Sequence, residues 1–168
     1  MGRRTVVIWA LWAAFVANRA DAAPQVLLGF VDSDSKFAVE GAVKGAAVRL
    51  ARPSCQRVLS DFADPSGRDL ETRLLASGRS PAEAFAALRF VDSRTATQCQ
   101  AGTTLAFTQT GSPAIHVCGR QFVKRSMRNR LTAEIIVIHE FLHSLGLGEN
   151  PPSSEQITRR VWQRCGRA

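Results

Sequence analysis

Two of the three histidines in this chain, His139 and His143, stand four residues apart, and Glu140 directly follows the first. On an α-helix each residue turns by about 100°, so side chains four apart lie one above the other, about 6 Å apart along the axis. Both imidazoles can then reach one metal ion, with Glu140 beside that face. A zinc ion held by two imidazoles and one carboxylate keeps its fourth position for water and lowers that water's pKa from about 15.7 toward about 7. Glu140 is the expected general base toward the metal-activated water, and afterwards the general acid toward a leaving amine. The chemistry expected of H-E-x-x-H is therefore zinc-dependent hydrolysis. The pattern fixes only three residues, and the competing reading has the two histidines merely packing or hydrogen-bonding.

A third ligand is needed, and three residues compete for it. Glu149 follows His143 by six positions, with Gly146 between them able to turn the chain back toward the metal, and it is the favoured ligand. Glu155 lies twelve residues beyond His143 and reads equally well as a solvated residue in the first turn of a helix. His116 is the remaining histidine, in an alternating segment where a structural or substrate-contacting role suits it. The full spacing, H-E-x-x-H-x-x-G-x-x-E, resembles the metzincin pattern, in which glycine makes that turn. The third metzincin ligand is usually histidine and sometimes aspartate, whereas this chain has Glu149 there, and no methionine follows Met127 to form a methionine turn. Use of Glu155 would resemble the gluzincin arrangement instead.

A closer resemblance covers about a third of the chain. The stretch from Ala114 to Phe122, the histidine helix, and Gly148 to Thr158 with Arg164 and Cys165 are similar to a group of small bacterial exported zinc metallopeptidases. That resemblance implies a zincin-type fold and hydrolysis of peptide bonds with zinc as cofactor; it brings no substrate with it.

The motif needs a helix, and its flanks support one. Ile135 to Ile138, then Phe141, Leu142 and Leu145, give an apolar pattern at helical spacing, with Thr132 as expected N-cap and Gly146 as terminator. Upstream, Gln25 to Val31 reads as a strand, and Gly41 to Leu50 and Pro53 to about Phe62 as helix interrupted by the proline. Ser80 to Glu83 is a capping box with proline at the first helical position, opening a helix through Leu88. Phe90 to Asp92, Thr103 to Gln109 and Ala114 to Cys118 alternate as short strands, the last two joined by a turn over Thr110 to Pro113. Ser153 and Gln156 form a second capping box for a closing helix to about Arg164. The expected class is α+β: one compact zincin-like domain, residues 23–168, with a short β-meander, the metal helix and a C-terminal helix. The strand holding His116 is read as an edge strand, the neighbour of one, or an interior strand. The chain has no tyrosine to aim at an oxyanion, leaving His116, Arg159 or Arg160 as candidates.

Residues 1–22 read as a secretory signal: Arg3 and Arg4, an apolar stretch from Thr5 to Ala17, then Ala20-Asp21-Ala22 as a cleavage site. Thirteen apolar residues fall short of the roughly twenty that cross a bilayer, so no transmembrane segment is expected. Without that segment 22 basic and 14 acidic residues become 19 and 13, and the net charge falls from +8 to +6. A secreted or periplasmic protein of this charge suits anionic envelope surfaces. The cluster Lys124, Arg125, Arg128 and Arg130 reads as a solvated face, and no motif specific for nucleic acid accompanies it. Cys55, Cys99, Cys118 and Cys165 contain no C-x-x-C pair and fit disulfides of an exported protein. Of three possible connectivities, Cys99 with Cys118 and Cys55 with Cys165 are preferred. Two functions remain in view. One is a secreted zinc metallopeptidase with a peptide or protein substrate. The other is a basic, envelope-associated binding protein whose metal, if any, is structural.

Overall fold

The computed structural model describes residues 28–30 and 32–167; the signal segment expected at 1–22 and most of the strand expected at 25–31 lie outside them. Within that range the class is α+β, with eight helices and a four-stranded sheet. The strands are β1 (Leu28–Gly29), β2 (Arg89–Asp92), β3 (Ala106–Thr108) and β4 (Ala114–Val117), in the order β1-β2-β4-β3. β1 pairs with β2 and β2 with β4 in parallel, and only β3 and β4 are antiparallel. The expected meander is thus corrected to a mixed sheet. Short alternating segments reveal strands but not partners, and the long connections between β1 and β2 and between β2 and β4 permit parallel pairing.

Helix α1 (Ser33–Leu50) begins eight residues earlier than expected, at an N-cap where the Asp32 carboxylate accepts from the Ser35 N–H. In its first two turns polar Ser35 is buried and Phe37 is exposed, which hid the periodicity, yet Val39, Ala42, Val43, Ala46 and Leu50 form one buried stripe. After Pro53 the helix α2 (Pro53–Gln56) is a single turn rather than reaching Phe62. The chain continues in tight turns, with Val58 N–H donating to Cys55 and Leu59 N–H to Gln56. The helices α3 (Leu70–Ala76), α5 (Thr97–Gln100) and α6 (Gly119–Arg128) lie in stretches that carried no apolar run. The helix α4 (Pro81–Ala86) has the capping box expected at Ser80 and Glu83. So does the closing helix α8 (Ser154–Cys165), at Ser153 and Gln156.

The histidine helix α7 (Arg130–Ser144) is the centre of the molecule, touching α1, α6, α8, β3 and β4. Its N-cap is Asn129, not Thr132: the Asn129 side chain accepts from the Thr132 N–H. Asn129 also closes α6, so the two helices meet at one residue and pack side by side. Gly45 on α1 makes room for α7, because a β-carbon there would overlap the Glu134 carboxylate. That carboxylate, nearly buried, takes the Arg49 guanidinium at 2.6 Å and Arg130 at 3.2 Å.

Both preferred disulfides form. Cys55–Cys165 ties the end of α8 to α2. Cys99–Cys118 joins α5 to the residue that caps α6, instead of stapling neighbouring strands.

Candidate metal centre

Ten of the fifteen residues of α7 are buried, His139, Glu140 and His143 among them. An apolar helix buried on nearly all sides allows those side chains little freedom, so what surrounds them sets their orientation. The His143 Nδ1 lies 2.8 Å from the Leu147 carbonyl, which can only accept, so Nδ1 carries the proton and Nε2 presents a lone pair. His139 Nδ1 meets the Thr158 hydroxyl of α8 at 2.9 Å. The two Nε2 atoms then point at one another across 3.0 Å.

The Leu147 carbonyl is available because of how α7 ends. Gly146, at φ +107°, is in the left-handed region and sends its N–H to the His143 carbonyl, while Leu147 N–H reaches back to Leu142. This is the Schellman pattern, with buried Leu142 and Leu147 as its apolar contact. A β-carbon on Gly146 would also come within 3.1 Å of the Arg73 guanidinium. The reversal brings Glu149 back over the helix, its Oε1 3.4 Å from His143 Nε2 and 3.8 Å from His139 Nε2. His139, His143 and Glu149 form a group that can hold a metal ion.

The other two candidates lie elsewhere. Glu155 is 79% exposed and pairs with Arg159 on the surface of α8. The strand β4 is interior, between β2 and β3, and its Ile115 and Val117 are buried, so His116 alternates to the opposite sheet face. There it stacks on Phe107 and bonds the Ser93 hydroxyl at 2.8 Å. Strand alternation already permitted this role; only the register decided the face.

Burial governs the electrostatics. It holds His139 down to about 3, with His143 adding to the effect, so the imidazole is neutral and able to donate a lone pair at pH 7. Burial likewise pushes Glu140 up to about 7; the Thr108 hydroxyl opposes the rise and the Glu149 carboxylate adds to it. Glu140 Oε2 and Thr108 Oγ1 are buried without a well-formed hydrogen-bond partner among the described residues. A carboxylate 5% exposed and unsatisfied at one oxygen is costly to keep unless something is to be bound there.

Beside these residues runs a cleft of about 390 Å³, lined by His139, Glu140, Thr104 to Ala106 at the start of β3, and Arg125 of α6. A more open groove lined by Glu155, Thr158, Arg159 and Trp162 adjoins it, the two sharing Ser154. The sequence reading missed Thr108, Thr158 and the Leu147 carbonyl. Thr158 had one available signal: it shares a helix face with Ser154 and Trp162 at four-residue spacing, beside the buried face of Ile157, Val161 and Cys165.

No protein-family model, curated protein or solved structure matches this chain. The functional reading rests on the site itself.

Proposed function

We propose that this protein is an exported zinc-dependent metallopeptidase of the zincin type, with His139, His143 and Glu149 as zinc ligands and Glu140 as general base. The observation that carries the reading is the convergence of three metal-binding side chains beside a buried, unsatisfied carboxylate. The donor atoms suit zinc. Ligands about 2.0 to 2.1 Å from a tetrahedral ion lie about 3.3 Å from one another, and the separations here are 3.0, 3.4 and 3.8 Å. Partners on both Nδ1 atoms are the outer hydrogen bonds that metal-binding histidines characteristically have.

A bound zinc ion would supply a Lewis acid and an acidified water in its remaining position. The protein's own groups do the rest. Glu140, buried and with Oε2 unpartnered among the described residues, can take a proton at that oxygen and return it to a leaving amine. The strand β3 is an edge of the sheet and its first residue, Ala106, lines the cleft, so its main chain can hydrogen-bond an extended peptide across the site. Two disulfides favour an oxidising compartment. Among the described residues no helix is long and apolar enough to cross a membrane.

The test is zinc content measured together with hydrolysis of a peptide mixture. About one zinc per chain is expected, with Glu140→Gln keeping the metal and losing at least about 100-fold in rate. Glu149→Ala should weaken the metal. A zinc-loaded wild type that cleaves no peptide would instead leave the basic envelope-binding protein with a structural metal.

A further inference from the structure

The cleft beside the metal group has one wall that no catalytic role explains. Arg125 reaches it from α6, a helix that carries Arg120, Lys124, Arg125 and Arg128 and not one acidic residue. Some arginines outside the cleft are matched: Arg49 with Glu134, Arg73 with Asp64, Arg94 with Asp32 and Asp92, Arg164 with Asp61. Arg125 has no such ion pair among the described residues, although it shares the cleft with His139 and Glu140.

The helix that carries it is firmly held. The α6 N-terminus is fixed by the Cys99–Cys118 disulfide and by Gln121 Nε2 donating to the Cys99 carbonyl at 2.5 Å. Gly119 packs against Ser35 of α1, Phe122 is buried, and Asn129 joins α6 directly to α7. The Arg125 carbonyl itself accepts from Asn129 N–H at 2.9 Å. The helix α7 contributes Thr132, Ile136, His139 and Glu140 to the same cleft, one face at helical spacing. A peptide lying along β3 toward Glu140 therefore passes a guanidinium carried on a firmly held helix, with no carboxylate paired to it among the described residues.

Resting on the peptidase reading, we propose that Arg125 is a specificity-determining residue that recognises an acidic side chain of the peptide substrate next to the bond to be cut. A guanidinium is suited to this because its planar fork can take both oxygens of a carboxylate. The polar Thr103 and Thr104 at the β3 end of the cleft leave that wall open to a hydrated, charged group. A basic substrate residue would meet Arg125 and the rest of α6 as like charge.

The test compares two peptides that differ only in aspartate against asparagine beside the scissile position, with both cleavage and binding measured. Binding is read on zinc-loaded Glu140→Gln protein, by calorimetry at low and high salt. The aspartate peptide should bind and react better by about twofold to fivefold, the upper range for an exposed charged pair, and the advantage should shrink with salt. In Arg125→Ala the advantage should vanish; in Arg125→Glu it should pass to a lysine peptide, with zinc content unchanged in both. Equal treatment of the two peptides by the wild type, or an advantage that survives Arg125→Glu, overturns the proposal even if cleavage is vigorous. Binding preference without any cleavage upholds acidic recognition at Arg125 and removes the peptidase reading instead.

Discussion

At the scale of single residues, the orientation of His139 and His143 depends on groups just outside the candidate metal-binding set. His143 is oriented by a backbone carbonyl, which no side-chain substitution removes, whereas His139 depends on the Thr158 hydroxyl. Thr158→Val keeps the shape of the side chain and deletes that partner. Metal affinity should fall by about tenfold or more, as measured by competition with a chelator, and Thr158→Ser should restore it. An unchanged affinity in Thr158→Val would mean that the packing of α7 alone orients the ring. The role of Glu140 is separable in the same way, because its substitution should abolish hydrolysis and leave the metal in place.

At the scale of elements, α7 must be held in one position relative to α1, α6 and α8, and much of that holding is done at the end of α7 far from His143. The Glu134 carboxylate sits against Gly45, paired with Arg49, which also donates to the Cys165 carbonyl at 2.8 Å. One arginine thus connects α1, α7 and the end of α8. Glu134→Gln leaves the largely buried Arg49 without its counter-charge, and unfolding free energy should fall by about 2 to 3 kcal/mol in a denaturant titration. The exposed Arg130 contributes less, because solvent screens it.

At the scale of the whole molecule, covalent and ionic ties join distant parts of the chain. The Cys55–Cys165 bridge closes a separation of 110 residues and Cys99–Cys118 one of 19. Loop entropy then gives about 5 kcal/mol for the first and about 3 for the second. Paired Cys→Ala replacement should follow that order in thermal unfolding, and loss of the longer bridge should also weaken metal binding, since α8 carries Thr158. Acid should act through Asp64. Its carboxylate, 2% exposed, accepts from the Ser66 hydroxyl, Arg73 and two backbone N–H groups, which hold its pKa well below the usual carboxylate range. A lowered folded-state pKa stabilises above the unfolded value of about 3.9, and that contribution is lost as pH falls from there through the folded value. Asp64→Asn should therefore be less stable than wild type at pH 7, with the gap narrowing as pH is taken from 4 toward 2.

The sequence by itself determined whatever local geometry enforces. Residues four apart on an apolar helix put His139 and His143 on one face, glycine at 146 satisfied a left-handed turn, and serine followed three residues on by Glu or Gln started α4 and α8. The pairing of four cysteines also came out as preferred, although spacing left three connectivities open. Tertiary structure decided the rest, because it depends on which surfaces meet. Sheet order and register turned His116 away from the two histidines of α7, and the Schellman reversal rather than sequence distance brought Glu149, not Glu155, beside them. Docking of α8 supplied Thr158, and the single-residue join at Asn129 brought Arg125 of α6 to the cleft. Helical periodicity is written within a few residues of the chain, whereas such contacts arise between segments tens of residues apart, where no local spacing records them.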